Sequence, residues 1–316
     1  MGVKRSIKRN DSVLTIADAW DEFLSERGSL LGVETKTMRN YTQAFKYWAE
    51  MNEYTAATPC AAVNVSTIDR FVEGLAQRNP NISMCSLNHY VGHVRPFLYW
   101  CMDHNYIEPF KIRLNRQQET KPKTFSEEDI RKLLVEPKTT DSFTTWRTYA
   151  IISFMLATGA RPATLAFIGL EDVDFKTQRI TYTHMKTKDV VVAYMSDALK
   201  RVLQKYLKLW KLHEWLFPSV SGGQGSTEMY HQAFVKYCTD RGVRRTDMYS
   251  LRHTFAANYA EKTKNPFKLK QVLGHKTLAM SSKYVRLFAE DVEDGYEAAS
   301  VLDQNLQTRK QVIKRH

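Results

Sequence analysis

Cysteine is scarce in this chain, and it never occurs in closely spaced pairs. The 316 residues include four cysteines, Cys60, Cys85, Cys101 and Cys238, and none of them forms a CxxC motif. This spacing fits neither a zinc site nor a disulfide framework, so we expect reduced thiols, as in a cytoplasmic protein. No apolar run is long enough to span a bilayer. The basic amino terminus is not followed by an apolar stretch, and we therefore expect no signal peptide.

Acidic residues are outnumbered by basic ones. The chain has 46 Lys and Arg against 34 Asp and Glu, which gives a formal net charge of +12. A surplus of this size is typical of proteins with a polyanionic partner such as nucleic acid. On charge alone, a basic protein without such a partner is an equally good interpretation. The length favours two domains, and the hydrophobic content of 43% is typical of folded globular proteins.

The first half of the chain has helical periodicity throughout. Residues 1–12 are polar and basic and are predicted to form a flexible arm. Residues 13–110 carry apolar side chains at helical spacing and no strand pattern, which predicts a bundle of helices. Ser66 and Ser83 are predicted to cap two of these helices. Residues 111–124 are rich in Lys and Arg and predict a basic linker between domains.

The second half mixes helices with a small sheet. In residues 125–287, an acidic first turn after Ser126 predicts one helix, and a buried helix is expected to end at Gly159. After this helix, apolar and polar residues alternate with a period of two, which predicts three short strands. Residues 288–316 predict a last helix with a basic end, either for subunit contact or packed on its own domain. The predicted fold class is mainly α with a small antiparallel β-sheet.

Several polar residues of the second half suit phosphoryl chemistry. A phosphodiester under in-line attack gathers charge on its non-bridging oxygens, and fixed cations stabilise that charge. The reaction also needs a nucleophile and a donor for the leaving oxygen. Residues of these types lie in loops, in a predicted hairpin turn and at helix starts: Arg161, Lys186, Arg252, His275 and Tyr284.

Three short motifs carry a resemblance to a known family. Ala157–Arg161 reads ATGAR, Leu251–Phe255 reads LRHTF, and Leu273–His275 reads LGH, with Tyr284 nine residues after the histidine. In this order they resemble the two arginine boxes, the third box and the nucleophile of the tyrosine recombinase (phage integrase) family. The helical first half resembles the core-binding domain of the family, so the resemblance covers nearly the whole chain.

The resemblance implies a role for each of these residues. Tyr284 would attack the scissile phosphate and form a 3′-phosphotyrosyl link, while Arg161 and Arg252 would hold the non-bridging oxygens. Lys186, which fits the hairpin lysine of the family, would protonate the leaving 5′ oxygen. His275 would hydrogen-bond the phosphate. The resemblance implies neither a metal nor a nucleotide cofactor, because the phosphotyrosine conserves the bond energy.

Two positions depart from the family pattern. The second box usually begins with a histidine three residues before its arginine, and here that position is Tyr249. A phenol is a poor proton acceptor at neutral pH, so we expect Tyr249 to position the phosphate instead. The first box usually has an acidic residue three positions after its arginine, and here that residue is Thr164.

Some assignments have alternatives. Lys188 lies in the same predicted turn as Lys186 and is the other candidate for its role. His253 is either a satisfied buried histidine or a contact of the phosphate site. Tyr259 and Tyr296 are the other candidate nucleophiles, but Tyr259 lies on an apolar helix face and Tyr296 lacks the histidine spacing.

Two further patterns are not assigned chemistry. His89 and His93 are four residues apart on a predicted helix, but no helical glutamate or third ligand accompanies them. Gly222–Gly225 is rich in glycine but lacks the ending of a phosphate-binding loop, so a surface loop is predicted.

Duplex DNA is the expected partner. Cations on both domains and the linker would contact phosphates, and Arg39 and Asn88 mark the helices proposed to read bases. Exposed solubilising charge is the alternative for about half of the set. The candidates are Lys36, Arg39, Lys46, Asn88, Arg95, Lys121, Lys123, Arg244 and Arg245.

The expected function is site-specific recombination, with integration or excision of a mobile element as the favoured role. A chromosome or plasmid dimer resolvase, a type IB-like topoisomerase and a non-catalytic DNA-binding regulator are the alternatives. The resemblance implies a homo-tetramer on two DNA sites, with accessory DNA-bending or directionality factors among the partners and no membrane. The expected localisation is cytoplasmic and DNA-associated.

Overall fold

The chain divides into two units, residues 1–119 and 120–316. The computed structural model describes residues 14–30, 35–114, 122–183 and 190–285. The predicted arm (1–12), most of the predicted linker and the segment 288–316 lie outside the described residues. The predicted mainly helical fold with a small antiparallel sheet is confirmed. In the described ranges, none of the helices has the length and apolar character that crossing a bilayer requires.

The described part of the first unit is helical, as predicted. Aromatic side chains fill its core: the rings of Trp20 and Phe45 stack at 3.9 Å, and Phe97 packs edge-on against both. Over these residues no regular strand occurs. The helices are α1 (Ile16–Ser25), α2 (Thr35–Met51), α3 (Ser66–Arg78) and α4 (Met84–Asp103).

One of the two predicted caps in this unit is confirmed and the other is wrong by one residue. Ser83 caps α4, because its hydroxyl accepts a hydrogen bond from the Ser86 N–H. Ser66 is instead the first residue of α3, and Val65 precedes it as the N-cap. Asn64 explains the difference, since its Oδ1 accepts from both the N–H (3.0 Å) and the hydroxyl (2.6 Å) of Ser66.

The second unit surrounds the buried helix that the sequence predicts. Its strands form one antiparallel sheet in the order β1-β2-β3, with Val173 opposite Ile180 and Thr183 opposite Val190. The first helix begins after Ser126 as predicted, and the Ser126 side chain caps it. The elements are α5 (Glu127–Leu133), α6 (Phe143–Thr158), β1 (Val173–Asp174), β2 (Arg179–Thr183), β3 (Val190–Tyr194), α7 (Asp197–Leu209), α8 (Thr227–Asp240), α9 (Tyr249–Thr263), α10 (Pro266–Leu273) and α11 (Ala279–Val285).

The end of α6 is where three helices of this unit meet. Gly159 ends α6 in the left-handed conformation, with φ of 67°, as the sequence predicts. A side chain at this position would collide with Phe255 of α9 and would lie 2.7 Å from a methyl carbon of Leu273 of α10. Glycine therefore allows α6 to end directly against the two helices that carry the second and third motifs.

A small apolar cluster joins α9, α10 and α11. Ala256 and Ala260 of α9 pack with Leu269 and Leu273 of α10 and with the ring of Tyr284 of α11. All five are buried. The position of Tyr284 is therefore set by apolar packing against the same helices that end near Gly159.

Candidate active site

Arg161 lies in the short segment that follows the end of α6. It is half-buried and precedes the 3-10 turn Pro162–Phe167. Its Nη2 donates a hydrogen bond to the Gly274 carbonyl at 3.2 Å. Thr164, at the position where the family has an acid, is buried in that turn. The turn thus directs the guanidinium towards the end of α10.

Arg252 lies in the first turn of α9 and is only 5% exposed. Its Nη1 donates to the Gly159 carbonyl at 2.5 Å, and its Nη2 donates to the Leu273 carbonyl at 2.9 Å. One guanidinium therefore links the end of α6 to the end of α10. The structure brings the arginines of the first two motifs to the same helix end.

The two arginines repel each other in a partly desolvated site. Burial, followed by the charge of Arg161, lowers the pKa of Arg252 to about 10. Burial also lowers the pKa of Arg161, while the phenols of Tyr249 and Tyr182 act in the opposite direction. Both guanidinium groups stay protonated at neutral pH. Two close cations of this kind form a site that an anion such as phosphate would stabilise.

His275 follows the left-handed Gly274 that ends α10. Its backbone N–H donates to the Lys270 carbonyl at 3.0 Å. Its Nδ1 is hydrogen-bonded to the Ser281 hydroxyl at 2.8 Å, and the side chain is 7% exposed. The ring is therefore fixed from both the α10 and the α11 side, beside the helix end that Arg161 and Arg252 contact.

Tyr284 lies in α11 and is 1% exposed. Its hydroxyl is hydrogen-bonded to Nδ1 of His253 at 2.6 Å. Burial raises the pKa of Tyr284, and the nearby charge of Arg252 lowers it. The ammonium of Lys283 lies 5.1 Å from the centre of the tyrosine ring. The phenol thus lies within the electrostatic reach of Arg252.

Tyr249 is the first residue of α9 and is 47% exposed. Its backbone N–H donates to Oδ1 of Asp247 at 3.0 Å, which fixes the start of the helix. Its phenol acts electrostatically on both Arg161 and Arg252. The expected role of Tyr249 in positioning the phosphate stays a prediction.

The remaining candidates divide into described and undescribed residues. Tyr259 is half-buried and packs against Phe255, as expected for a core residue of α9. Lys186, Lys188 and Tyr296 lie outside the described residues. The assignment of the hairpin lysine therefore stays a prediction.

Three side chains beside the candidate nucleophile were not assigned a role from the sequence. His253 had two open interpretations, and neither included a contact with Tyr284. Ser281 and Lys283 had none. In the sequence, His253 follows Arg252 and Lys283 precedes Tyr284. Adjacency alone does not show which way a side chain points.

The proposed DNA contacts differ in exposure. The structure corrects the assignment of Asn88 as a DNA contact. Asn88 is buried in α4, so its side-chain amide is not presented to a base. Lys121 lies outside the described residues. The exposed members are Lys36, Arg39, Lys46, Lys123 and Arg244, and the half-buried members are Arg95 and Arg245.

No chemical role is assigned to the pair His89 and His93 or to the segment Gly222–Gly225. The Nε2 atoms of His89 and His93 lie 2.9 Å apart on α4. Across the described ranges, no three His, Cys, Asp or Glu side chains are grouped as a metal site requires. Gly222–Gly225 forms the predicted loop before α8. All four cysteines are free.

Two kinds of bacterial protein resemble the chain in sequence. The transposase from transposon Tn916 of Enterococcus faecalis is 27% identical over 207 residues, which cover 55% of this chain and 50% of the transposase. The tyrosine recombinase XerC of Staphylococcus aureus is 26% identical over 231 residues, which cover 68% of this chain and 75% of XerC. The chain therefore spans about half the length of the transposase that it matches.

Solved structures share the fold. The Tn1549 transposon integrase in complex with a circular intermediate DNA matches with a TM-score of 0.69 and 17% identity, covering 94% of this chain and 99% of the integrase. A lambda integrase tetramer bound to a Holliday junction matches with a TM-score of 0.69 and 15% identity, covering 87% of this chain and 78% of that one. The model of the phage integrase family matches residues 123–291, more than half of the chain and all of the candidate site. The chain belongs to the phage integrase family.

Proposed function

We propose that the chain cleaves and rejoins DNA strands as a site-specific recombinase. One observation carries the proposal: Arg161 and Arg252 both donate to carbonyls at the end of α10, and Tyr284 is buried within the field of Arg252. Two cations and a phenol in one site are the groups that attack on a phosphodiester requires.

Each residue has a role in the proposed reaction. The Tyr284 oxygen attacks the scissile phosphorus, and the bond from phosphorus to the 5′ oxygen breaks. Arg161 and Arg252 bind the non-bridging oxygens, because a guanidinium offers paired donors to phosphate. Lys186 protonates the leaving 5′ oxygen. His275 and Tyr249 position the phosphate.

The product of this step is a 3′-phosphotyrosyl enzyme and a free 5′ hydroxyl. A 5′ hydroxyl from another strand then attacks the phosphotyrosine and releases Tyr284. The number of phosphodiester bonds is conserved, so the reaction as proposed draws on no nucleotide or metal. Both steps use the same set of charged groups.

The proposed biological role is integration or excision of a mobile element. The Tn916 transposase and the Tn1549 integrase support this role, whereas XerC supports the alternative of a dimer resolvase. The proposed partner is duplex DNA at specific sites, bound by a tetramer of this chain with accessory DNA-bending or directionality factors. Residues 288–316 would make the subunit contacts. The proposed localisation is cytoplasmic and DNA-associated.

The first test needs a DNA substrate. Binding selection from duplexes with a randomised central segment supplies the recognition sequence. Duplexes nicked at successive positions within that sequence then serve as suicide substrates, because the short cleaved strand diffuses away and leaves the enzyme attached. Covalent adducts are measured on denaturing gels. We expect adducts with the wild-type chain and none with Tyr284→Phe, which should still bind the duplex.

A second tyrosine variant separates the nucleophile from its neighbour on α9. Tyr259→Phe should form adducts at the wild-type rate, because that ring packs against Phe255.

The reaction should proceed in EDTA without nucleotide. Adducts that persist in Tyr284→Phe, or a strict requirement for magnesium, would contradict the proposal. Binding without any adduct in the wild-type chain would favour a DNA-binding regulator.

A further inference from the structure

The hydroxyl of Tyr284 has a specific protein partner. It lies 2.6 Å from Nδ1 of His253, which is a short hydrogen-bond distance. The two residues come from different helices, α9 and α11, so the contact depends on the packing of this unit. Because burial raises the pKa of Tyr284, the phenol stays protonated at neutral pH. Its attack on phosphorus therefore needs a proton acceptor.

His253 lies one helical turn after the position where the family has its histidine. Tyr249 and His253 are four residues apart in α9, so they occupy the same face of the helix. Tyr249 is exposed and carries a phenol, which is a poor acceptor at neutral pH. His275 is engaged with Ser281 through its Nδ1. His253 is therefore the imidazole that contacts the attacking atom.

The surroundings of His253 favour its neutral form. Burial lowers its pKa most, followed by the charge of Lys283 from α11. Arg252 lowers it further from α9, whereas Asp247, in the loop before that helix, raises it. Since the folded pKa lies below the ordinary value of about 6.5, the ring is neutral at pH 7. A neutral ring protonated at Nε2 presents the lone pair of Nδ1 to the phenol.

We propose that His253 is the general base that deprotonates Tyr284, in place of the histidine that is replaced by Tyr249. The inference rests on the proposed function. As the oxygen–phosphorus bond forms, the phenolic proton moves to Nδ1, and the leaving 5′ oxygen takes a separate proton from Lys186. In the reverse step, the neutral Lys186 takes back the proton of the attacking 5′ hydroxyl, and His253 returns its proton to the Tyr284 oxygen as the oxygen–phosphorus bond to Tyr284 breaks. Atoms and charges balance over the cycle.

Replacement by asparagine tests proton transfer separately from positioning. His253→Asn keeps a polar atom near the position of Nδ1 but cannot take up a proton at neutral pH. Adduct formation is measured in single turnover on the selected nicked duplex from pH 5.5 to 9. The wild-type rate should rise with pH through the histidine pKa, below about 6.5, and then level off. His253→Asn should be about 10²- to 10³-fold slower at pH 7, with a rate that keeps rising with pH.

Matched controls identify the cause of the loss. His231→Asn changes an exposed histidine of α8 in the same unit and should keep the wild-type rate. Free imidazole should restore part of the rate of His253→Ala. Tyr249→Phe should keep the same dependence on pH, whatever its rate. The affinity for the selected duplex and the melting temperature of each variant show whether it is folded.

A sulfur-substituted substrate separates the base from the acid. When sulfur replaces the leaving 5′ oxygen, departure no longer needs a proton, because a thiol is far more acidic than an alcohol. The loss in His253→Asn should persist on this substrate, whereas the loss in Lys186→Ala should be restored. Restoration of His253→Asn would instead place His253 at the leaving group and overturn the inference.

Other outcomes would also overturn it. A wild-type rate and pH profile in His253→Asn would limit His253 to positioning Tyr284. A faster rate in His253→Ala would mean that the contact holds the tyrosine in an inactive state. Failure of the proposed function is distinguishable, because it would appear as missing wild-type adducts or as adducts in Tyr284→Phe.

Discussion

A buried hydroxyl helps to orient the ring of His275. Ser281 is fully buried and contributes the group that is hydrogen-bonded to Nδ1. The family resemblance predicts that His275 contacts the phosphate, but it does not predict what holds the imidazole. The partner lies six residues further along the chain, after α10 has ended and α11 has begun.

We expect Ser281→Ala to slow adduct formation by about 10-fold without loss of DNA affinity. The change removes the hydrogen bond of Nδ1, and loss of such a second partner costs about 1 kcal/mol, or a few-fold to 10-fold in rate. Single-turnover adduct formation and duplex affinity are measured together.

Ser282→Ala provides the matched control for this change. Its hydroxyl donates to the Leu278 carbonyl at 3.0 Å, four residues earlier in the chain. The rate of adduct formation should stay within about two-fold of wild type, since such a local bond contributes little. Equal losses in both variants would refute a specific role for Ser281.

The sequence predicted the polar residues of the site better than their contacts. Arg161, Arg252 and Tyr284 were found by their order and by the chemistry that such side chains support. The contact between His253 and Tyr284 was not found, because it joins residues that are 31 positions apart. No local pattern in α9 specifies which residue of α11 will face it.

Helix ends were predicted where the stabilising groups are local. Ser83 and Ser126 cap their helices, because a hydroxyl at that position meets an N–H three residues on. Ser66 was predicted to be the N-cap of α3 but is its first residue. The side chain of Asn64 accepts the hydrogen bond from the Ser66 N–H. Asn88 was named as a DNA contact, but α4 packs against α1, α2 and α3, and the Asn88 side chain is buried.

Replacement of Gly159 by alanine should be strongly destabilising. The left-handed backbone at φ of 67° disfavours a side chain, and the new methyl would collide with Phe255 and Leu273. We expect a loss of about 2–4 kcal/mol in the free energy of unfolding, measured by urea denaturation. Adduct formation should be lost even at temperatures where the Gly159→Ala variant is folded, because the end of α6 would move away from Arg252.

Gly242→Ala is the control for backbone strain alone. Gly242 has a nearly identical φ of 66°, and no atom of the described residues lies within 4 Å of the added methyl. The expected cost is about 1 kcal/mol, without loss of adduct formation. If the two variants lose equal stability, the packing of α6 against α9 and α10 does not require glycine.

The positive charge of the whole chain should appear in the salt dependence of DNA binding. Each phosphate contact releases counterions, so the logarithm of the binding constant falls by about 0.9 per contact for each tenfold increase in salt. Arg39→Gln, an exposed change on α2, should reduce this slope by about one and weaken binding to all sequences alike. Fluorescence anisotropy from 50 to 300 mM salt measures both effects.

Lys236→Gln is the control for a general loss of charge. Lys236 lies on α8 and pairs with Asp240 at 3.0 Å, outside the proposed contacts. Its replacement should leave the slope unchanged. An equal decrease in both variants would mean that Arg39 acts only through net charge.

The carbonyls that hold Arg161 and Arg252 have a consequence for the charge of the site. They belong to Gly159, Leu273 and Gly274, at the carboxyl ends of α6 and α10. Aligned peptide dipoles place about half a negative charge at such an end. A carboxylate in the same position would bring a whole charge and neutralise one guanidinium. The helix ends therefore offset only part of the charge of the two arginines, which keep a net positive potential for a phosphate.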